Sequence, residues 1–168
     1  MKTILILVLI TLIPTLELRA SIPFGILWAE MAWWSVVLVC VITNIVLGPL
    51  VYLFLDKVMV LLLRFPWLNR VYQRTVLRTR RKIERFVDRY GEIGVALFIG
   101  IPFPGTGSYS GALGAYLIGL GYRKFILANI IGVLMAGTIV TTIVLSGVEA
   151  FRIIEQPPDF IKYLKRFV

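Results

Sequence analysis

The segment Glu17-Leu18-Arg19-Ala20-Ser21-Ile22-Pro23-Phe24 places an acid, a base, a hydroxyl and a proline inside sequence otherwise apolar enough for lipid. A charge in hydrocarbon costs ~2.5 to 3.5 kcal/mol on insertion scales, so charged side chains persist there where pairing or function requires them. Three chemistries are open to Glu17 and Arg19. They can pair and fix a hairpin. Arg19 can hold an anionic headgroup while Glu17 takes and releases a proton. Both can also reach the interface by snorkelling. Proton coupling through Glu17 is the working reading.

A second, uncharged break lies at Ile101-Pro102-Phe103-Pro104-Gly105-Thr106-Gly107-Ser108, and nine of the fourteen glycines fall between Gly91 and Gly121. Proline lacks an amide hydrogen and glycine tolerates left-handed backbone, so no regular helix crosses this stretch. Unwinding there frees backbone groups, with the Thr106, Ser108 and Ser110 hydroxyls, to meet a polar ligand at membrane depth. A helix restarting near Ser108 aims its positive end at an anion. The same small residues also suit close helix packing, through Gly107-x-x-x-Gly111 and Gly111-x-x-Gly114. The candidate substrate or ion pathway therefore comprises Glu17, Arg19, Ser21, Pro23, Asn44, Pro102, Pro104, Gly105, Thr106, Gly107, Ser108, Ser110 and Asn129. Asn44 and Asn129 can equally glue helices together, worth ~0.6 kcal/mol on average.

Other chemistry lacks its residues. Histidine is absent and Cys40 is the lone cysteine, so neither a metal site nor a disulfide framework is expected. There is no phosphate-binding G-x-x-x-x-G-K-[ST], no H-E-x-x-H and no G-x-S-x-G. The expectation is a protein that is not an enzyme and carries no cofactor.

The elements that must position these residues are membrane helices. Hydrophobic residues make up 59% of the 168 and charged residues 16%, well below the roughly 25% charge of soluble domains. The mean hydropathy is +0.90. Apolar stretches run from Thr3 to Leu16, Ala32 to Leu55, Ile93 to Leu120 and Phe125 to Ser146, continuous instead of alternating, which disfavours a barrel. Met1-Lys2 and the apolar run after it imitate a secretory signal ending at Ala20, but Pro14, Glu17 and Arg19 fit such an end poorly.

The predicted fold is an all-α integral membrane protein of two inverted repeats, each a re-entrant helical hairpin plus a transmembrane helix, joined by a basic amphipathic cytoplasmic helix. The single membrane domain divides into a broken hairpin at 3–30, a transmembrane helix at 31–55, a basic segment at 56–92, a second broken hairpin at 93–121, a transmembrane helix at 125–147 and a polar tail at 148–168. The repeat rests on order: a broken segment with Ile22-Pro23-Phe24, then a span with Asn44-Ile45, matched by Ile101-Pro102-Phe103 and Asn129-Ile130. Hairpins put both termini outside and Arg123-Lys124 in the cytoplasm, with 12 Lys and Arg inside and 5 outside when Arg19 is left out; full crossings give 15 and 2. Charge alone favours crossings. The repeat and the short half-segments favour hairpins.

Nine of the eighteen basic residues, from Arg64 to Arg89, crowd one loop, which the positive-inside rule assigns to the cytoplasm. Arg70, Arg74 and Arg78 repeat every four residues beside Trp67, Val71 and Tyr72, and Arg81 and Arg85 extend the basic run towards Tyr90. The pattern is a surface helix on the inner leaflet, where ~1 kcal/mol per basic residue explains binding to anionic lipid without nucleic acid. Trp28, Trp33, Trp34 and Glu30 mark the opposite, outer interface.

These motifs support a resemblance. Glu17 to Pro23 resembles the ELRGAIP-type signature, and Tyr90-Gly91 followed by Phe98 to Ala112 resembles the PLPGTGAWTGA signature, of the small multidrug export protein family. The likeness covers roughly Leu16 to Asn129. A more distant similarity is to the DedA and VTT-domain membrane proteins, which share the Tyr-Gly lead-in and a proline-broken hairpin. They usually carry arginines around the second proline, where Gly100 and Thr106 stand here, leaving Arg19 as the cation inside a broken segment. The first resemblance implies export of small drugs, the second movement of lipid or polyprenyl phosphates; gradient-driven movement of an amphiphile is the leading reading. The resulting expectation is a multi-pass transporter of the cell inner membrane, homo-oligomeric, whose partners are membrane lipids and an amphiphilic or lipid-phosphate substrate. A membrane scaffold recruiting partners through Arg70 to Arg89 is the alternative of another class.

Overall fold

The structure is a computed structural model and describes residues 2–14, 16–28, 31–72, 78–103 and 105–155. Among these, all regular structure is helical: α1 (Lys2–Thr11), α2 (Glu17–Trp28), α3 (Trp33–Leu62), α4 (Pro66–Val71), α5 (Arg78–Gly100), α6 (Ser108–Ile118) and α7 (Tyr122–Glu155). Within α3 and α7, Trp33–Met59 and Tyr122–Glu149 have mean hydropathies of 2.5 and 2.1 and are long enough to cross a membrane. At 1.5 Å per residue, α1, α2 and α6 reach only about 15 to 18 Å, roughly half of a ~30 Å hydrocarbon core.

Two pairs of helices fold back on themselves. Thr11 Oγ1 lies 2.8 Å from Ser21 Oγ, and Leu7 packs on Gly25, so residues move apart in opposite directions along α1 and α2. Likewise, Ile99 packs on Gly111 and Gly91 on Leu120, making α5 and α6 antiparallel. The second pair departs from the boundary expected near residue 93. α5 runs unbroken from the basic segment to Gly100, because helical hydrogen bonding continues across a change in composition and stops only before Pro102.

α3 and α7 are also antiparallel, with Val41 against Gly137 and Ile45 against Asn129. Their joint is built around Pro49. A proline inside a helix leaves the carbonyl four residues back without its donor. That carbonyl belongs to Ile45, and Asn129 Nδ2 donates to it at 3.1 Å. Gly48 makes the room, since a Cβ there would stand 2.6 Å from Asn129 Cγ. Further along, the Tyr52 hydroxyl donates to Leu120 O at 2.7 Å and its ring stacks on Phe125, 5.0 Å between centroids. Tyr122, at the start of α7, also packs on Tyr52. This ties the far end of the second hairpin to α3.

Candidate functional site

The two breaks meet each other. The chain between Thr11 and Glu17 turns at Leu12, Ile13 and Pro14, and α2 starts at Glu17, whose φ of 47° is the only positive value at a non-glycine among the described residues. Ser21 Oγ donates to the Glu17 carbonyl at 3.1 Å and supports that turn. A side chain leaving a helix start in this conformation is aimed away from its own helix, here into the second break.

Glu17 is 3% exposed, and its carboxylate accepts three hydrogen bonds. Ser108 N–H and Asn44 Nδ2 donate to Oε2 at 3.0 and 3.2 Å, and Tyr109 N–H donates to Oε1 at 3.1 Å. Ser108 and Tyr109 open α6, so the carboxylate caps a helix N-terminus from 91 and 92 residues away in sequence. This satisfies two amides that lack a partner within α6, and places negative charge at the positive end of the helix dipole. Gly107 enables it. Its φ of 142° and ψ of −170° form a region essentially restricted to glycine, and a Cβ there would meet Glu17 Cδ at 2.7 Å.

Arg19 serves the other side of the break. Its Nη1 donates to Thr106 O, and its Nη2 lies 3.1 Å from Ile101 O, 2.6 Å from Thr106 Oγ1 and 3.5 Å from Ile99 O. Ile99 and Ile101 end α5, where carbonyls lack partners and carry the negative end of the dipole. Thr106 Oγ1 in turn sits 2.6 Å from Ile101 O and 2.9 Å from Phe103 O, folding the break around the guanidinium. Acid and base thus clamp the two cut ends of one interrupted helix path. In return, the Tyr109 hydroxyl donates to Leu12 O at 2.6 Å, satisfying a carbonyl of the first break.

The clamp answers the sequence reading unevenly. Glu17, Arg19, Asn44, Thr106, Gly107 and Ser108 converge, with Ser21 behind them and Ser110 Oγ 3.4 Å from Gly107 O. The polar hollow expected between the breaks is filled by the carboxylate and guanidinium themselves. Asn129 belongs to the Pro49 joint. Pro23 lies inside α2, Pro102 and Gly105 in the second turn, without a polar contact to the clamp. Pro104, Arg74 and Glu30 lie outside the described residues, as do the side chains of Arg78, Arg81 and Arg85; Arg70 is exposed on α4. Trp28, Trp33 and Trp34 are exposed. Sequence reasoning missed Tyr109, which contributes both an amide and a phenol. Its place directly after the predicted helix start was the available signal.

Several buried polar atoms beside the clamp have no partner among the described residues: Ser108 Oγ, Asn44 Oδ1 and Arg19 Nε. An apolar groove of about 620 Å³ adjoins it, lined by Leu50, Phe54, Tyr109 and Leu113 among others. A second groove of about 470 Å³ lies between α3 and α7, flanked by Trp33 and Trp34.

A family model described as "Putative small multi-drug export protein" matches residues 17–139, from the clamp's carboxylate to the middle of α7. No curated protein and no solved structure matches the chain. With the clamp residues, the second break, all of α3 and the first half of α7 inside that match, the chain belongs to the small multi-drug export protein family.

Proposed function

We propose that the protein is a small transporter of the cell inner membrane that uses a proton gradient to export a small amphiphilic compound such as a drug. One observation carries the reading. The buried Glu17 carboxylate is held by three donors, two from the start of α6 and one from α3, so a proton placed on it takes away the acceptor that keeps the two breaks clamped. The family name supplies the class of cargo.

The topology proposed is two re-entrant hairpins and two spans in inverted repeat, with the basic segment of Arg70 to Arg89 in the cytoplasm. Antiparallel α3 and α7 support it, because full crossings of both broken segments would leave the two spans parallel. Tyr122 packs on Tyr52, towards the same end of α3 as Lys57, which puts Arg123 on the side of the basic segment. Cysteines introduced at Lys57 and Arg123 should therefore react with an impermeant maleimide from the same face of oriented vesicles; labelling from opposite faces refutes the hairpins. So few helices enclose little pathway, which favours a homo-oligomer.

Glu17→Gln tests the mechanism. In proteoliposomes, imposed pH gradients should drive uptake by the wild type and fail to drive the variant, with rates about tenfold lower, the equivalent of ~1.4 kcal/mol. Gradient-dependent transport by Glu17→Gln at the wild-type rate ends the proton-coupling reading. A second reading, a DedA-like translocase of lipid or polyprenyl phosphate, is favoured by the α6 amides, which already hold an oxyanion.

A further inference from the structure

We infer that Glu17 is a tethered occupant of an oxyanion site, displaced during transport by the anionic head of an amphiphile whose tail lies in the α3–α6 groove. This rests on the transporter reading and narrows its cargo to one sign of charge. The first support is electrostatic. The start of α6 contributes roughly half a positive charge and Arg19 a full one, against the single negative charge of Glu17. Remove that charge and the site is net positive, hospitable to an anion and hostile to a cation.

The second support is a set of unused groups. Ser108 is fully buried, and its hydroxyl, three bonds from the amide that holds the carboxylate, has no partner. Arg19 Nε is a second unused donor. Donors without acceptors beside an occupied oxyanion cradle are what a larger, more oxygen-rich head such as a phosphate or sulfonate would satisfy. Asn44 Oδ1 is the complementary unused acceptor. Protonated Glu17, released from the amides, can donate its O–H there; the proton comes from the aqueous phase and returns to it when the anion leaves.

The third support is continuity. Tyr109 gives its amide to Glu17 and its ring to the groove, so head and tail positions share a residue. Leu50, Phe54 and Leu113 on the groove are all exposed, leaving it open along its length. Arg19 and Tyr109 are the ionisable side chains that act on Glu17 across this site, from α2 and α6; α3 contributes Asn44.

Calorimetric titration of the full chain in neutral-detergent micelles tests the inference with three probes: octyl sulfonate, octyltrimethylammonium and inorganic sulfate. Octyl sulfonate should bind, and bind about tenfold more tightly to Glu17→Gln, which keeps the shape of the tether without its charge. The ammonium probe should bind neither protein. Equal sulfonate affinities, or preference for the cation, overturn the inference. Sulfate binding as tightly as octyl sulfonate removes the groove from the site and overturns the amphiphile assignment. Where the variant does not fold, the wild type alone decides: octyl sulfonate should bind and octyltrimethylammonium should not, and binding of the cation by the wild type overturns the anion site. These affinities are independent of the proteoliposome result, so failed coupling and a failed anion site are separate outcomes.

Discussion

Arg19→Ala should cost about 3 kcal/mol of stability, the upper end of the range for a hydrogen bond to a charged group, because the half-buried guanidinium serves several acceptors at once. Three losses combine. Thr106 O loses its guanidinium donor and Ile101 O keeps only Thr106 Oγ1 and Phe103 N–H, Thr106 Oγ1 loses its cationic neighbour, and Glu17 stays buried without a nearby positive charge. For a chain of this size the melting midpoint in detergent should fall by roughly 10 °C. Arg19→Lys should recover only part of it, since one ammonium cannot reproduce a planar fork that reaches Thr106 and Ile101 together. A lysine variant as stable as the wild type would show that charge alone, without bidentate geometry, holds the break.

The second large effect is expected at Gly107, and its neighbour supplies the control. Alanine at Gly107 needs backbone angles open essentially to glycine, and its Cβ would overlap the Glu17 carboxylate. The acid must then leave the Ser108 and Tyr109 amides, so strain of ~1 to 3 kcal/mol adds to the loss of the cap. Gly105 also has a positive φ, 88°, but open space around it. Gly105→Ala should therefore cost only about 1 to 2 kcal/mol, the backbone term alone. Equal melting midpoints for the two variants would mean that the Glu17 cap contributes nothing to stability.

Which parts of this could be read from the sequence follows from the range of the forces involved. Helical class, the two long apolar helices, the interruption at Pro102 and the restart at Ser108 are local consequences of hydropathy, proline and glycine. The first interruption, expected at Ile22-Pro23-Phe24, falls instead at Leu12 to Pro14, and α2 runs through Pro23. Glu17 and Arg19 stood out because charge in apolar sequence is costly wherever it lies. What they hold was not legible. Apart from Asn44, their partners are 80 to 92 residues away, and no periodicity records a pairing at that distance. Asn129 illustrates the same limit: it looked like a pathway residue, yet it serves the carbonyl that Pro49 on another helix has freed. The continuity of α5 was missed because composition changes near residue 93 while backbone hydrogen bonding does not.

The reciprocal bonding of the two breaks sets a problem of timing for synthesis. Glu17 and Arg19 leave the ribosome ahead of residues 101 to 109, and at ~5 to 20 residues per second the wait is roughly 5 to 20 s. During it the acid has only Asn44 of its final partners, and the Leu12 carbonyl and the base lack theirs. The first segment must therefore linger near the lipid headgroups, where water serves in their place, and settle to depth only once the later half arrives to receive it.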